Sequence, residues 1–242
     1  MTKICPFLLI LISFYSGISQ EIWYKAYYNG IMNEELDYND YELVNNPEKE
    51  SFQGEYGFGS SESEYEIVIL YTKGTFYAKE TRHPITENGF GLVTERIPII
   101  FADGSITIHE KMTYDLYICI RNSINNKQGD FGIGYFSINR QENGNEIHSI
   151  SYHDKTEINI PGEYPEASFV KLEKEELQMH STRDLRLIRN EIFARNGHIF
   201  IENGHMDTYF SKQSWYKKIK KITLNDLNDI EKHNIKLIRS LE

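Results

Sequence analysis

The chain is poor in the residues that usually betray a reaction. It has two cysteines in 242 residues, Cys5 and Cys119. Cys5 lies in an N-terminal segment that reads as removable, so a lone cysteine remains and no internal disulfide can form. Stability must then come from burial. Cys119 sits in the apolar run Leu116 to Ile120 with no neighbour of a type that lowers a thiol pKa, so it reads as a small buried hydrophobe. There is no Gly-x-Ser-x-Gly, no phosphate loop and no HExxH. Nucleophile-elbow, nucleotide and zincin chemistries therefore find no support. Positive charge is scarce as well, with 26 Lys and Arg against 36 Asp and Glu, a net of −10.

That deficit is uneven. Residues 1–170 hold 12 Lys and Arg against 25 Asp and Glu, and residues 171–242 hold 14 against 11. The acidic first part argues against nucleic acid and anionic membranes as its partners. The small positive excess of the second part does not argue for nucleic acid.

Residues 1–19 read as a secretory signal peptide. Lys3 supplies the positive end, Phe7 to Tyr15 the apolar core, and Gly17-Ile18-Ser19 the small residues before cleavage. The core is too short to span a bilayer as a mature helix. Cleavage would leave Gln20 first and about 223 residues, enough for one large or two small domains. No cysteine follows the core to carry a lipid, so an exported chain without a membrane span is expected, periplasmic or extracellular.

Residues 20–162 alternate with period two between turn residues. Glu66 to Tyr71 and Thr75 to Ala78 flank Lys73-Gly74, and Ile97 to Phe101 and Ser105 to His109 flank Asp103-Gly104. Tyr114 to Ile120, Phe131 to Asn139 and a strand after Asn143-Gly144 follow. Pro98 should mark an edge or a strand start. Seven to nine short strands imply an antiparallel barrel or sandwich. Ile31 to Val44, acidic and asparagine-rich, reads as an irregular or partly helical insertion. Pro161-Gly162-Glu163-Tyr164-Pro165 cannot continue a ladder and forms the natural boundary.

Beyond it the period becomes 3.6, so the whole chain reads as α+β. Ser181-x-x-Asp184 resembles a capping box, Leu185, Ile188 and Ile192 make one stripe, and Gly197 supplies a left-handed stop. A last helix from Thr223 or Asn225 carries Leu227, Ile230, Asn234, Ile238 and Leu241. Leu185 to Phe200 reads L-R-L-I-R-N-E-I-F-A-R-N-G-H-I-F, with Phe193-Ala194-Arg195-Asn196-Gly197 at its centre. This segment resembles the signature of the YARHG domain, a small bacterial extracytoplasmic module. Tyr209-Phe210, Trp215-Tyr216, Leu224-Asn225, Glu231 and Asn234-Ile235 follow in that family's order, so the resemblance covers about residues 166–242. Phe193 stands for the motif's tyrosine and Asn196 for its histidine. A role resting on that hydroxyl or imidazole does not transfer; a role for Arg195 does. The resemblance implies a compartment and a fold more readily than a reaction.

Arg189 and Arg195 flank the apolar stripe of the first helix, and Glu231 sits beside the stripe of the last. An arginine near a core needs a partner. The structural reading is an Arg195–Glu231 or Arg189–Glu231 bridge. The functional reading is an arginine fork for a carboxylate or phosphate. Trp215, Tyr216, Tyr209 and Phe210 could stack on a sugar, although in a module this small such aromatics more often fill the core. Lys212, Lys217, Lys218, Lys220 and Lys221 form a basic face suited to an anionic envelope polymer. His198, His205 and His233 match no zinc spacing, so neither metal nor cofactor is expected. The sequence thus points to an exported, non-enzymatic envelope-associated binding or docking protein, with peptidoglycan or another envelope polymer as partner. Two alternatives stay open: a β-barrel carrier of a small apolar ligand, and a carboxylate-dependent glycan hydrolase.

Overall fold

A computed structural model of the protein describes residues 25–28, 31–35, 38–59, 64–86, 89–122, 127–140 and 146–242. The expected signal segment 1–19, Gln20 and the Asn143-Gly144 turn lie outside the described residues.

The first part is a nearly closed antiparallel barrel, followed by helices, so the expected α+β class stands and the choice between barrel and sandwich falls to the barrel. A small hairpin comes first, β1 (Lys25–Tyr28) with β2 (Ile31–Glu35), then β3 (Tyr41–Leu43). The main strands are β4 (Gly54–Phe58), β5 (Tyr65–Thr72) and β6 (Thr75–Arg82). A two-residue pair, β7 (Ile85–Thr86) and β8 (Gly89–Phe90), interrupts them. They resume as β9 (Val93–Ile97), β10 (Ile99–Ala102) and β11 (Ser105–Ile108). The three longest last strands are β12 (Met112–Cys119), β13 (Phe131–Arg140) and β14 (Glu146–Thr156).

The main sheet runs β10-β11-β12-β13-β14-β4-β5-β6-β9, with β3 added alongside β12. Its two end strands, β9 and β10, are consecutive in the chain and separated only by Pro98. Ile97 to Phe101, expected as one strand, is thus broken there. Proline has no N–H to give a ladder, so the chain leaves β6 before it and joins β11 after it. The Pro98 carbonyl still accepts from the His109 N–H at 3.2 Å. The region expected as an irregular insertion after the first strand instead supplies β2, a 3-10 turn at Tyr38–Asp40 and β3. Both expected tight turns form with two left-handed residues each, Lys73-Gly74 and Asp103-Gly104. That conformation matches the twist of the flanking strands.

Alternation along the strands fills the barrel. Phe52, Tyr56, Ile69, Ile106 and Ile133 have no accessible surface, and Phe58, Ile67, Ala78 and Leu116 pack among them. A water-sized void would leave surface on such residues. No water-sized space therefore touches these five side chains. Cys119 is buried, as expected, and burial pushes its thiol pKa up.

Two polar groups enter this interior with partners. Glu80 is tied to Arg82 and to His109 Nε2 at 2.5 Å. His153 stacks on Phe58 at 3.9 Å between ring centroids, and its Nδ1 lies 2.8 Å from the Gly57 carbonyl. A carbonyl only accepts, so Nδ1 carries the proton of the neutral ring. Burial lowers the His153 pKa to about 4. Between that value and the ordinary 6.5, the unfolded chain binds the proton and the folded chain does not. Stability is then complete above about pH 6.5 and falls as pH drops toward 4, by up to about 3 kcal/mol. Urea melts across that range should show this slope, and His153→Phe should flatten it. An unchanged slope in the variant would mean that another group controls it.

The second part is five helices: α1 (Glu166–Phe169), α2 (Lys174–Gln178), α3 (Thr182–Arg195), α4 (His205–Phe210) and α5 (Asp229–Leu241). Ser181 Oγ accepts from the Asp184 N–H at 3.2 Å, so the expected cap forms. Gly197, at φ +80°, ends α3, with His198 N–H reaching the Phe193 carbonyl and Gly197 N–H the Ala194 carbonyl. The last helix starts at Asp229, later than expected. A 3-10 turn, Leu224–Asp226, takes the earlier position, and Asn228 caps the helix through the Glu231 N–H at 2.9 Å.

The helices do not stand apart from the barrel. Ile67 and Ile69 of β5 point inward, while Val68 and Leu70 point outward and are buried beneath the helices with Phe169, Val170, Leu172, Ile188 and Ile235. Around this seam Arg96 of β9 binds Glu176 bidentately at 2.7 and 2.8 Å, and Lys79 lies 4.7 Å from the Phe169 ring centroid. One hydrophobic core thus crosses the expected boundary between residues 20–162 and 166–242.

Candidate functional site

The helical part carries two charged clusters, one buried and one exposed. The buried one is built on α3. Its apolar stripe, Leu185, Ile188 and Ile192, faces α5 and the sheet, which places Glu191 and Arg195 one turn apart on the flank toward the chain entering from the barrel. The Arg195 side chain is 7% exposed and that of Glu191 1%. They ion-pair with each other. Arg195 Nε also donates to the Pro161 carbonyl at 2.7 Å, one terminal nitrogen donates to the Tyr164 carbonyl at 2.6 Å, and the other to Ser168 Oγ at 2.8 Å. Glu191 in turn accepts from the Glu163 and Tyr164 N–H groups at 2.9 and 2.7 Å. The pair therefore grips both the carbonyls and the amides of residues 161–164.

This corrects the expected Arg195–Glu231 bridge. Ser168 stands between the two, accepting from Arg195 and donating to Glu231 at 2.8 Å. Asn196 Nδ2 donates to the same Glu231 oxygen at 3.0 Å. Glu191 wins the guanidinium because it is on the same helix at i−4, while Glu231 comes from α5 and is already committed to its capping box. The expected Arg189–Glu231 alternative also fails. Arg189 lies toward the end of α5 and binds Glu242 at 3.1 Å. Asn196, at the histidine position of the motif, uses an amide to reach Glu231. Neither arginine fork faces solvent as a ligand clamp.

The network holds more acid than base. Glu166, Glu191 and Glu231 are all buried around one arginine. Burial raises the Glu166 pKa, which relieves the excess of negative charge. Asn234, from the expected stripe of the last helix, is fully buried and saturated. It accepts from Leu172 N–H at 2.9 Å and donates to the Ala167 and Val170 carbonyls at 2.8 and 2.7 Å, closing the end of α1. By spacing alone Asn234 is one more position of the apolar stripe. An amide recurring at core spacing was the signal that it serves backbone groups.

The aromatics expected as either core or platform divide between the two. Phe210 is fully buried against Phe200, and Tyr216 donates its hydroxyl to the His198 carbonyl at 2.5 Å. Trp215, half-buried, meets Phe210 edge-on. His198 belongs to this cluster, accepting the Ile222 N–H at Nδ1, while His205 and His233 are exposed. Among the described residues no group of three His, Cys, Asp or Glu side chains is placed to hold a metal ion.

The exposed surface is the lysine face. Residues 208–225 contain five lysines and no acidic residue. Lys212, Lys217, Lys218, Lys220 and Lys221 are all exposed. Lys218 pairs with Asp207 at 2.5 Å and Lys220 with Asp226, while among the described residues no carboxylate pairs with Lys212, Lys217 or Lys221. On the barrel, a cleft of about 280 Å³ is lined by Glu55, Glu66, Asp154, Tyr65 and His83, among others.

No helix among the described residues is long and apolar enough to cross a membrane. No curated protein and no solved structure matches the chain. The family comparison matches from residue 163, so it takes in Glu163 and Tyr164, two of the residues that Arg195 and Glu191 hold. Residues 163–242 match the family model of the YARHG domain, and the β barrel before them matches no family.

Proposed function

We propose that this is an exported, non-enzymatic protein of the cell envelope, in which the YARHG domain docks on an anionic envelope polymer such as peptidoglycan. The YARHG match fits an exported envelope protein. The observation that carries the reading is the lysine face, five cations without an intervening acid on a chain of net charge −10. The barrel carries most of the acid, so an anionic polymer would meet the domain with the barrel turned away. Lys212, Lys217 and Lys221 supply the charge, and Trp215 beside them a flat apolar edge for a sugar ring. Arg189 and Arg195 are satisfied internally and serve the fold that presents this face.

The mature protein should co-sediment with isolated peptidoglycan at low salt and be released as salt screens the contact. A Lys212→Gln, Lys217→Gln, Lys221→Gln variant should bind several-fold less. Absence of co-sedimentation at low salt would refute the reading. The same incubation tests the hydrolase alternative, which the carboxylate-lined cleft favours. Release of soluble glycan fragments, abolished by Glu66→Gln, would replace docking by catalysis. A carrier of an apolar ligand needs a void, and the side chains packed in the barrel core count against it.

A further inference from the structure

We infer that the YARHG domain has a second contact, made by Ile199, Ile201 and Ile219, which seats it on an anionic lipid surface. The inference rests on the reading above only in taking the protein to be exported to the envelope. Its own observations are different ones.

After the Gly197 stop the chain runs extended and pairs in parallel with the segment before Ile222. His198 bridges to Lys220, Ile199 N–H donates to the Lys220 carbonyl at 2.9 Å, and Ile219 N–H donates to the Gly197 carbonyl at 2.8 Å. His198 goes to the core, bonded to Ile222 N–H and packed on Phe200. Ile199 and Ile219 instead face solvent. Ile219 lies over Gly197, where any Cβ would collide with it. The motif glycine thus makes room for an exposed isoleucine as well as ending the helix.

The exposure is large. Ile201 is 86% exposed and Ile219 69%, with Ile199 at 37%. Isolated apolar residues on a surface need no account, but here Ile199 and Ile219 flank one bridge between two segments and Ile201 follows two residues on. Lysines neighbour Ile219 along the chain: Lys217 and Lys218 precede it, and Lys220 and Lys221 follow it. Apolar tips among lysines match the layered chemistry of an anionic bilayer surface, acyl chains beneath phosphate headgroups. Lysine stems can lie along the apolar layer while their ammonium groups stay at headgroup level. A polysaccharide would use the charge but gives branched alkyl groups nothing to enter. The negative barrel would be repelled, which fixes the orientation of approach.

The test is sedimentation of the full chain with vesicles of phosphatidylglycerol and phosphatidylethanolamine, against vesicles of phosphatidylcholine alone. The protein should bind the anionic vesicles, less so as salt rises, and bind phosphatidylcholine weakly. The Ile201→Ser, Ile219→Ser double variant alters only exposed side chains and should fold normally. Its affinity for anionic vesicles should fall about tenfold or more, because each isoleucine loses its burial in the membrane. Its co-sedimentation with peptidoglycan should stay as in the parent. No binding of the parent to anionic vesicles, or equal binding by the double variant, overturns the inference and leaves the polymer reading untouched. No binding of the parent to peptidoglycan, with its binding to anionic vesicles intact, overturns the polymer reading and leaves this one standing.

Discussion

Arg195→Ala should destabilise the protein by about 3–5 kcal/mol in urea melts, because it leaves buried carboxylates without their cation. Arg195 and Glu191 are almost fully enclosed, and Glu231 is linked to them through Ser168. The variant also frees the Pro161 and Tyr164 carbonyls, each of which loses a charge-assisted donor. Two further outcomes separate this network from a simple helix–helix bridge. Combining Arg195→Ala with Glu191→Ala should recover part of the loss, more than combining it with Glu231→Ala does. The Glu163 and Tyr164 amides, held by Glu191, should exchange their hydrogens faster in Arg195→Ala, since the clamp holds the chain between barrel and helices. A single variant that melts within about 0.5 kcal/mol of the parent would remove the structural role. A coupling to Glu231 as large as that to Glu191 would restore the direct bridge.

A comparable loss is expected from Leu70→Asp. Leu70 lies on the outer face of the barrel, yet it is 3% exposed because the helices cover it. The substitution removes a buried side chain and puts a carboxylate under Phe169 and Val170. A cost of at least about 3–5 kcal/mol follows from the lost burial and the unpaired charge. Val93→Asp, at an exposed position of β9, serves as the control and should stay within about 0.5 kcal/mol. The parent should unfold in one transition, because barrel and helices share a core. Two separate transitions, with Leu70→Asp shifting neither, would show that the two parts merely touch.

Much of this was legible beforehand, for local reasons. The strands from Glu66 to Ile120 announced themselves by alternation and by two-residue turns whose chemistry admits left-handed backbone. Ser181 and Gly197 bounded α3, since a cap and a stop are properties of a few adjacent residues. The expected start of the last helix falls on a separate 3-10 turn because Thr223 and Asp226 make a capping box of their own, while Asn228 and Glu231 make the one that starts α5. The continuous run Ile67-Val68-Ile69-Leu70 was the missed signal for the seam. A strand apolar on both faces must be covered on both.

The sequence by itself determined the two periods, the turns, the charge contrast between the halves and the YARHG motif, because each is written within a dozen residues. Tertiary structure decided the rest. It closed the sheet at Pro98, filled the barrel, and laid the helices on Val68 and Leu70. It also gave Arg195 to Glu191 and to the backbone at 161–164 instead of to Glu231. Partner choice among buried charges depends on which groups the packing brings within about 3 Å, and spacing along one chain does not carry that information.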